Sequence, residues 1–138
     1  MELHRKGSRP PVPGNEQWFT GTIRMEPIIG AEPPGRPGSA MVTFQPGART
    51  NWHTHPLGQL LIVTEGRGRA QTEGGPVVEL LPGDVVWFAA AERHWHGAAP
   101  DAAMTHIAVQ SAQDGRTVDW EGPVADGDYL AAPERSGS

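Results

Sequence analysis

The feature that most constrains this chain is how often its apolar runs are cut. The runs Trp18 to Met25, Ala40 to Phe44, Leu60 to Thr64, Arg67 to Thr72, Val77 to Leu81, Val85 to Phe88 and Met104 to Gln110 each suit a strand. Turn formers lie between them, at Pro46-Gly47, Glu65-Gly66, Gly74-Gly75 and Pro82-Gly83-Asp84. Glycine (18) and proline (14) together make 32 of the 138 residues, and both weaken helix interiors. No apolar stripe of helical period competes with the strand pattern. A hydrophobic content of 37% with five Trp supplies a core, which argues against disorder. The expectation is one all-β domain, a sandwich or barrel.

Composition sets the boundaries. Residues 1–16 read as an N-terminal arm, 17–110 as the barrel, 111–130 as an extension packed on the barrel or a partner, and 131–138 as a flexible tail. Trp120 and Tyr129 give the extension something to bury, whereas Trp52 and Trp87 read as core packing. A net charge of −5 speaks against nucleic acid as a partner. No apolar leader opens the sequence, and the run Val85 to Ala91 is too short to span a membrane, so a cytoplasmic location without a membrane partner is expected. The absence of cysteine excludes disulfides, thiolate metal sites and thiol nucleophiles.

Histidine is the residue in surplus, with six in the chain. His53 and His55 stand two apart, as do His94 and His96, and on a strand such pairs share one face. His106 lies on the last expected strand. Neutral imidazoles converging from neighbouring strands suit a divalent first-row ion.

The spacing adds a resemblance. Gly47, His53, His55, Gln59 and Gly66 form Gly-x5-His-x-His-x3-Gln-x6-Gly, and Gly83, Ala89, Ala91 and His94 form Gly-x5-Ala-x-Ala-x2-His. These resemble the two motifs of the cupin superfamily, which implies a jelly-roll β-barrel with the metal inside. Gln59 stands where the superfamily has a ligating glutamate. An amide leaves the 2+ charge of an ion undiminished, keeping it more electrophilic and less tightly held.

Longer runs narrow the likeness: Trp18-Phe19-Thr20-Gly21-Thr22, Trp52 to Gln59, Gly83 to Phe88, His94 to Pro100, Met104-Thr105-His106 and Val118-Asp119-Trp120. They resemble the bacterial manganese-dependent hydroxynitrile lyases of cupin fold. That resemblance implies His53, His55, Gln59 and His94 as ligands of Mn(2+), with Fe(2+), Zn(2+), Ni(2+) and Co(2+) as alternatives. It implies reversible cleavage of cyanohydrins such as mandelonitrile to an aldehyde or ketone plus HCN, with His106 as general base. His96 faces the same way as His94 and is a second catalytic candidate. Thr50, Gln110, Ala40 and Val42 are candidates for the substrate-binding wall. A homodimer or homotetramer is expected, with residues 17–25 available to add to a partner's sheet. The rival readings are a metal-dependent cupin dioxygenase and a non-catalytic cupin that binds a small anion.

Overall fold

The computed structural model describes residues 1–135. Thirteen strands and one helical turn follow in chain order: β1 (Val12–Pro13), β2 (Phe19–Thr20), β3 (Ile23–Ile29), β4 (Gly38–Phe44), β5 (Arg49–Thr50), β6 (His53–Thr54), β7 (Gln59–Gly66), β8 (Gly68–Thr72), β9 (Val77–Leu80), β10 (Val85–Phe88), β11 (His94–Ala98), β12 (Met104–Gln110), β13 (Asp119–Trp120) and α1 (Asp126–Tyr129). One sheet runs β1-β3-β4-β12-β7-β10. The other runs β13-β6-β11-β5-β2, with β8 paired to both β11 and β9. All pairings between these strands are antiparallel, as a jelly roll requires.

Alternation along the strands puts Phe44, Leu61, Val63, Ala70, Phe88 and Met104 into one apolar cluster between the sheets. A second cluster forms on the other face of β11, where Trp95 meets Trp52, Val77, Val124 and Tyr129. The extension therefore covers the back of β11. Arg49 Nη2 donates to Val124 O at 3.0 Å and to Asp126 Oδ1 at 2.9 Å, and the Arg49 guanidinium lies 4.2 Å from the centroid of the Tyr129 ring. Gly97 makes the crossing possible, because a Cβ there would lie 2.4 Å from Ala48 O and 2.6 Å from Arg49 Cα.

The structure departs from the sequence reading at Trp18 to Met25 and at Trp87. Trp18 to Met25 is not one strand, because the chain passes from one sheet to the other between β2 and β3. β3 lies between β1 and β4, but β1 pairs only with Arg24 and Met25, and β2 ends the other sheet, so residues 17–25 keep a sheet edge at Phe19–Thr20. Val12–Pro13 of the expected arm pairs with Met25 and Arg24. Trp87 is not core. It stays 60% exposed, because β10 is an edge strand whose inward positions go to Val86 and Phe88. Of the tail, Glu134 bridges Val78 and Arg135 pairs with Asp84, while 136–138 lie outside the described residues.

Candidate active site

The register of the strands brings the histidines together. His53 sits opposite His94 across β6 and β11, and opposite Trp120 across β6 and β13. The His53 and His94 rings are 4.3 Å apart between centroids, His53 and His55 5.0 Å, and His55 and His94 5.5 Å. Gln59 enters from the facing sheet as the first residue of β7, opposite Phe88 on β10. The turn that carries the chain from His55 to Gln59 needs Gly58, whose φ of +83° is unfavourable for residues with a side chain. A Cβ at Gly58 would also meet the Trp87 ring at 2.5 Å.

The tautomers follow from the hydrogen bonds. His53 Nδ1 lies 2.8 Å from Asn51 O, His55 Nδ1 2.7 Å from Thr117 O, and His94 Nδ1 2.7 Å from Glu92 O. A carbonyl can only accept, so each Nδ1 carries the proton and each Nε2 presents a lone pair. Gln59 Nε2 donates to Gln110 Oε1 at 3.0 Å, which leaves the amide oxygen of Gln59 turned the other way. His55 Nε2, His94 Nε2 and Gln59 Oε1 are all buried without a hydrogen-bond partner. Several buried acceptors with no donor among them are costly unless a cation satisfies them.

Burial keeps these rings neutral, as metal ligands must be. It pushes His94 down to about 3, His53 well below its ordinary value, and His55 below it against the opposing pull of Thr117 O. Among the described residues, His53, His94 and His96 have ligating atoms all within 4.8 Å of one another. That trio shares His53 and His94 with the expected ligands but has His96 in place of His55 and Gln59; the neutral imidazoles and the Gln59 amide oxygen with no donor are donor types that fit a divalent ion.

His96 also pairs with His106 across the two sheets. His106 Nε2 lies 3.0 Å from His96 Nδ1, and one proton is shared between them. His96 Nε2 and His106 Nδ1 are buried and have no other partner. Burial lowers both rings, His106 to about 4.

A cavity of about 160 Å³ opens onto this group. Thr50, Ala40, Val42 and Gln110 all line it, as do His53, His55, Gln59, His96 and His106. His94 does not. It lies underneath, wholly buried, with its ring stacked on Phe88 at 3.5 Å between centroids. Thr50 Oγ1 accepts the backbone N–H of His96 at 3.2 Å, so its own proton is free to donate. The wall also contains Phe19, Met25, Thr117 and Trp120, which strand periodicity alone does not single out. Thr117 and Trp120 come from the extension, where Trp120, an aromatic alone in a polar segment, is the signal that this part packs, and nothing marks Thr117. Trp120 stacks on Trp18 at 5.6 Å and faces the His53 ring at 4.7 Å.

Comparison with known proteins agrees with this geometry. Residues 40–109 match the cupin domain family. An (R)-mandelonitrile lyase from Granulicella tundricola is 57% identical over 129 residues, covering 94% of this chain and 98% of that one. The crystal structure of a cupin-like protein from Thermotoga maritima superposes with a TM-score of 0.81 at 37% identity, covering 97% of this chain and 98% of the other. The polyketide cyclase RemF from Streptomyces resistomycificus shares the fold at 16% identity, with a TM-score of 0.73 over 94% of this chain and 91% of its own. A matched domain spanning half the sequence and a relative matched over nearly all of it lead to one assignment: this chain belongs to the cupin family.

Proposed function

We propose that this protein is a metal-dependent hydroxynitrile lyase that cleaves cyanohydrins such as mandelonitrile into a carbonyl compound and HCN, and runs the reverse addition. The observation that carries this reading is the coexistence of two buried groups in one small cavity. One is a set of carbonyl-locked imidazoles with an amide oxygen that lacks a donor. The other is a histidine pair with a free ring nitrogen. The (R)-mandelonitrile lyase that is 57% identical supports the substrate class.

His53, His55, Gln59 and His94 hold the ion, with Mn(2+) as the preferred one. When bound, it supplies a Lewis acid that stabilises developing negative charge on oxygen or cyanide. His106 takes the hydroxyl proton at Nδ1. His96 accepts from His106 Nε2–H and holds that ring in the tautomer with Nδ1 free. As the oxygen lone pair forms the C=O bond, the C–CN bond breaks and its electron pair leaves with cyanide. The proton on His106 then passes to cyanide, which restores the base. Thr50 donates its hydroxyl proton to substrate. Ala40 and Val42 keep the wall small and apolar, and Gln110 fixes the Gln59 amide. Assembly into a homodimer or homotetramer is supported by exposed Val85 and Trp87 on the edge strand β10.

The test is benzaldehyde release from mandelonitrile, followed by absorbance, for Mn(2+)-loaded and chelator-stripped protein. Fast release only from the loaded form is expected. Equal rates would overturn the metal's role.

A further inference from the structure

A second cavity, of about 310 Å³, lies against the first. Its outer wall is Val12, Pro27, Ile29, Gly30 and Ala31. Met25, Ala40, Gln110 and Thr117 border both cavities, so the two meet there. The sheet register shows which residues stand where the two meet. His106 sits in a row with Val42 and Met25, the next row outward holds Ala108, Ala40 and Pro27, and the next pairs Gln110 with Gly38. Along β4 the side chains shrink from isopropyl at Val42 to methyl at Ala40 as the row leaves His106, and at Gly38 the place of a side chain is taken by Ala31, whose N a Cβ would meet at 3.1 Å. The outer cavity has no charged residue in its lining. Such a surface favours a neutral apolar group over a carboxylate or phosphate.

We propose that this outer cavity is a subsite for the distal apolar part of the substrate. The preferred cyanohydrins then carry a second apolar group beyond the ring next to the carbinol carbon. This rests on the lyase reading above. The inner cavity holds the reacting carbon beside His106, and the extension passes between Met25 and Thr117 into the outer one. The two-residue strand β1 borders the far side through its pairing with β3, with Val12 half exposed.

The experiment compares mandelonitrile with 4-benzyloxymandelonitrile on the Mn(2+)-loaded full chain. It also compares benzyl alcohol with 4-benzyloxybenzyl alcohol by calorimetry on the same protein. The expected result is at least a tenfold higher kcat/KM and a tenfold lower Kd for the longer compound. Gly30→Phe should bring both ratios towards one. A Cβ at Gly30 meets no atom within 4 Å, so the new ring enters open space. Ile29→Trp is the second variant and should act in the same direction. Ratios near one in the wild type, or ratios that neither variant changes, would overturn the subsite. Preferential binding of the long alcohol without cleavage of either cyanohydrin would support the subsite and overturn the lyase reading.

Discussion

The metal-free protein should lose stability steeply as the pH falls through the range where histidine ordinarily titrates. The perturbation is acid applied to chelator-treated protein. His94 titrates at about 3 and His106 at about 4 in the folded chain, both depressed by burial. An unfolded histidine titrates near ~6.5. The folded values lie below the unfolded one, so between them the unfolded chain binds more protons. The stabilisation is therefore complete above about pH 6.5 and is lost as the pH falls towards the folded values. Each such group contributes a slope of about 1.4 kcal/mol per pH unit once below that point. For these two rings, the loss between pH 8 and pH 5 is on the order of 4 kcal/mol. His53 and His96, also depressed by burial, add to it. Asp84 and Asp101 have lowered values, so they titrate beneath this window. A domain has only about 5–15 kcal/mol to lose. The assay is urea unfolding at pH 8, 7, 6 and 5. The midpoint should fall by more than about 1 M, with m unchanged. Saturating Mn(2+) should raise every midpoint and leave the trend in place, because the folded rings are already neutral across this range and the protons are taken up by the unfolded chain. A metal-free midpoint constant from pH 8 to pH 5 would refute the argument.

His106→Ala should reduce mandelonitrile turnover by about 10²-fold or more with metal content unchanged by elemental analysis; loss of metal instead would make His106 a ligand. Gln59→Glu should lengthen metal retention against a chelator by at least about tenfold and slow cleavage, since a carboxylate lowers the charge of the ion. The variant also loses the amide N–H that Gln110 accepts, and unchanged cleavage in Gln59→Glu would refute the charge argument. Gly97→Ala should cost about 3 kcal/mol or more in urea unfolding, because the new methyl meets Ala48 O.

Much of this arrangement is legible in the sequence, for identifiable reasons. Strand alternation places His53 beside His55 and His94 beside His96 without reference to any other element, and the glycines mark the turns. The fold follows from those local rules. The extension does not, because its placement depends on contacts far away in sequence. Nothing near Thr117 announces that its carbonyl holds His55, and nothing near Tyr129 announces that it packs behind Trp95. Trp87 misleads for a related reason: composition favours burying a Trp, but the strand that carries it lies at the sheet edge with that side facing outward. The His96 and His106 pairing needs the two sheets to face each other, which periodicity within one strand cannot reveal.

The covering of β11 by residues 117–129 has a consequence for the order of biosynthesis. His53 and His55 leave the ribosome long before Thr117, which stands 62 residues beyond His55, and before Val124, 75 residues beyond Arg49. Until that later segment emerges, the His55 ring lacks the carbonyl that fixes its tautomer, and Trp95 lacks its cover. The nascent chain thus displays its candidate ligands before Thr117 is there to fix the His55 ring, and the site takes its final form only once the extension has been made.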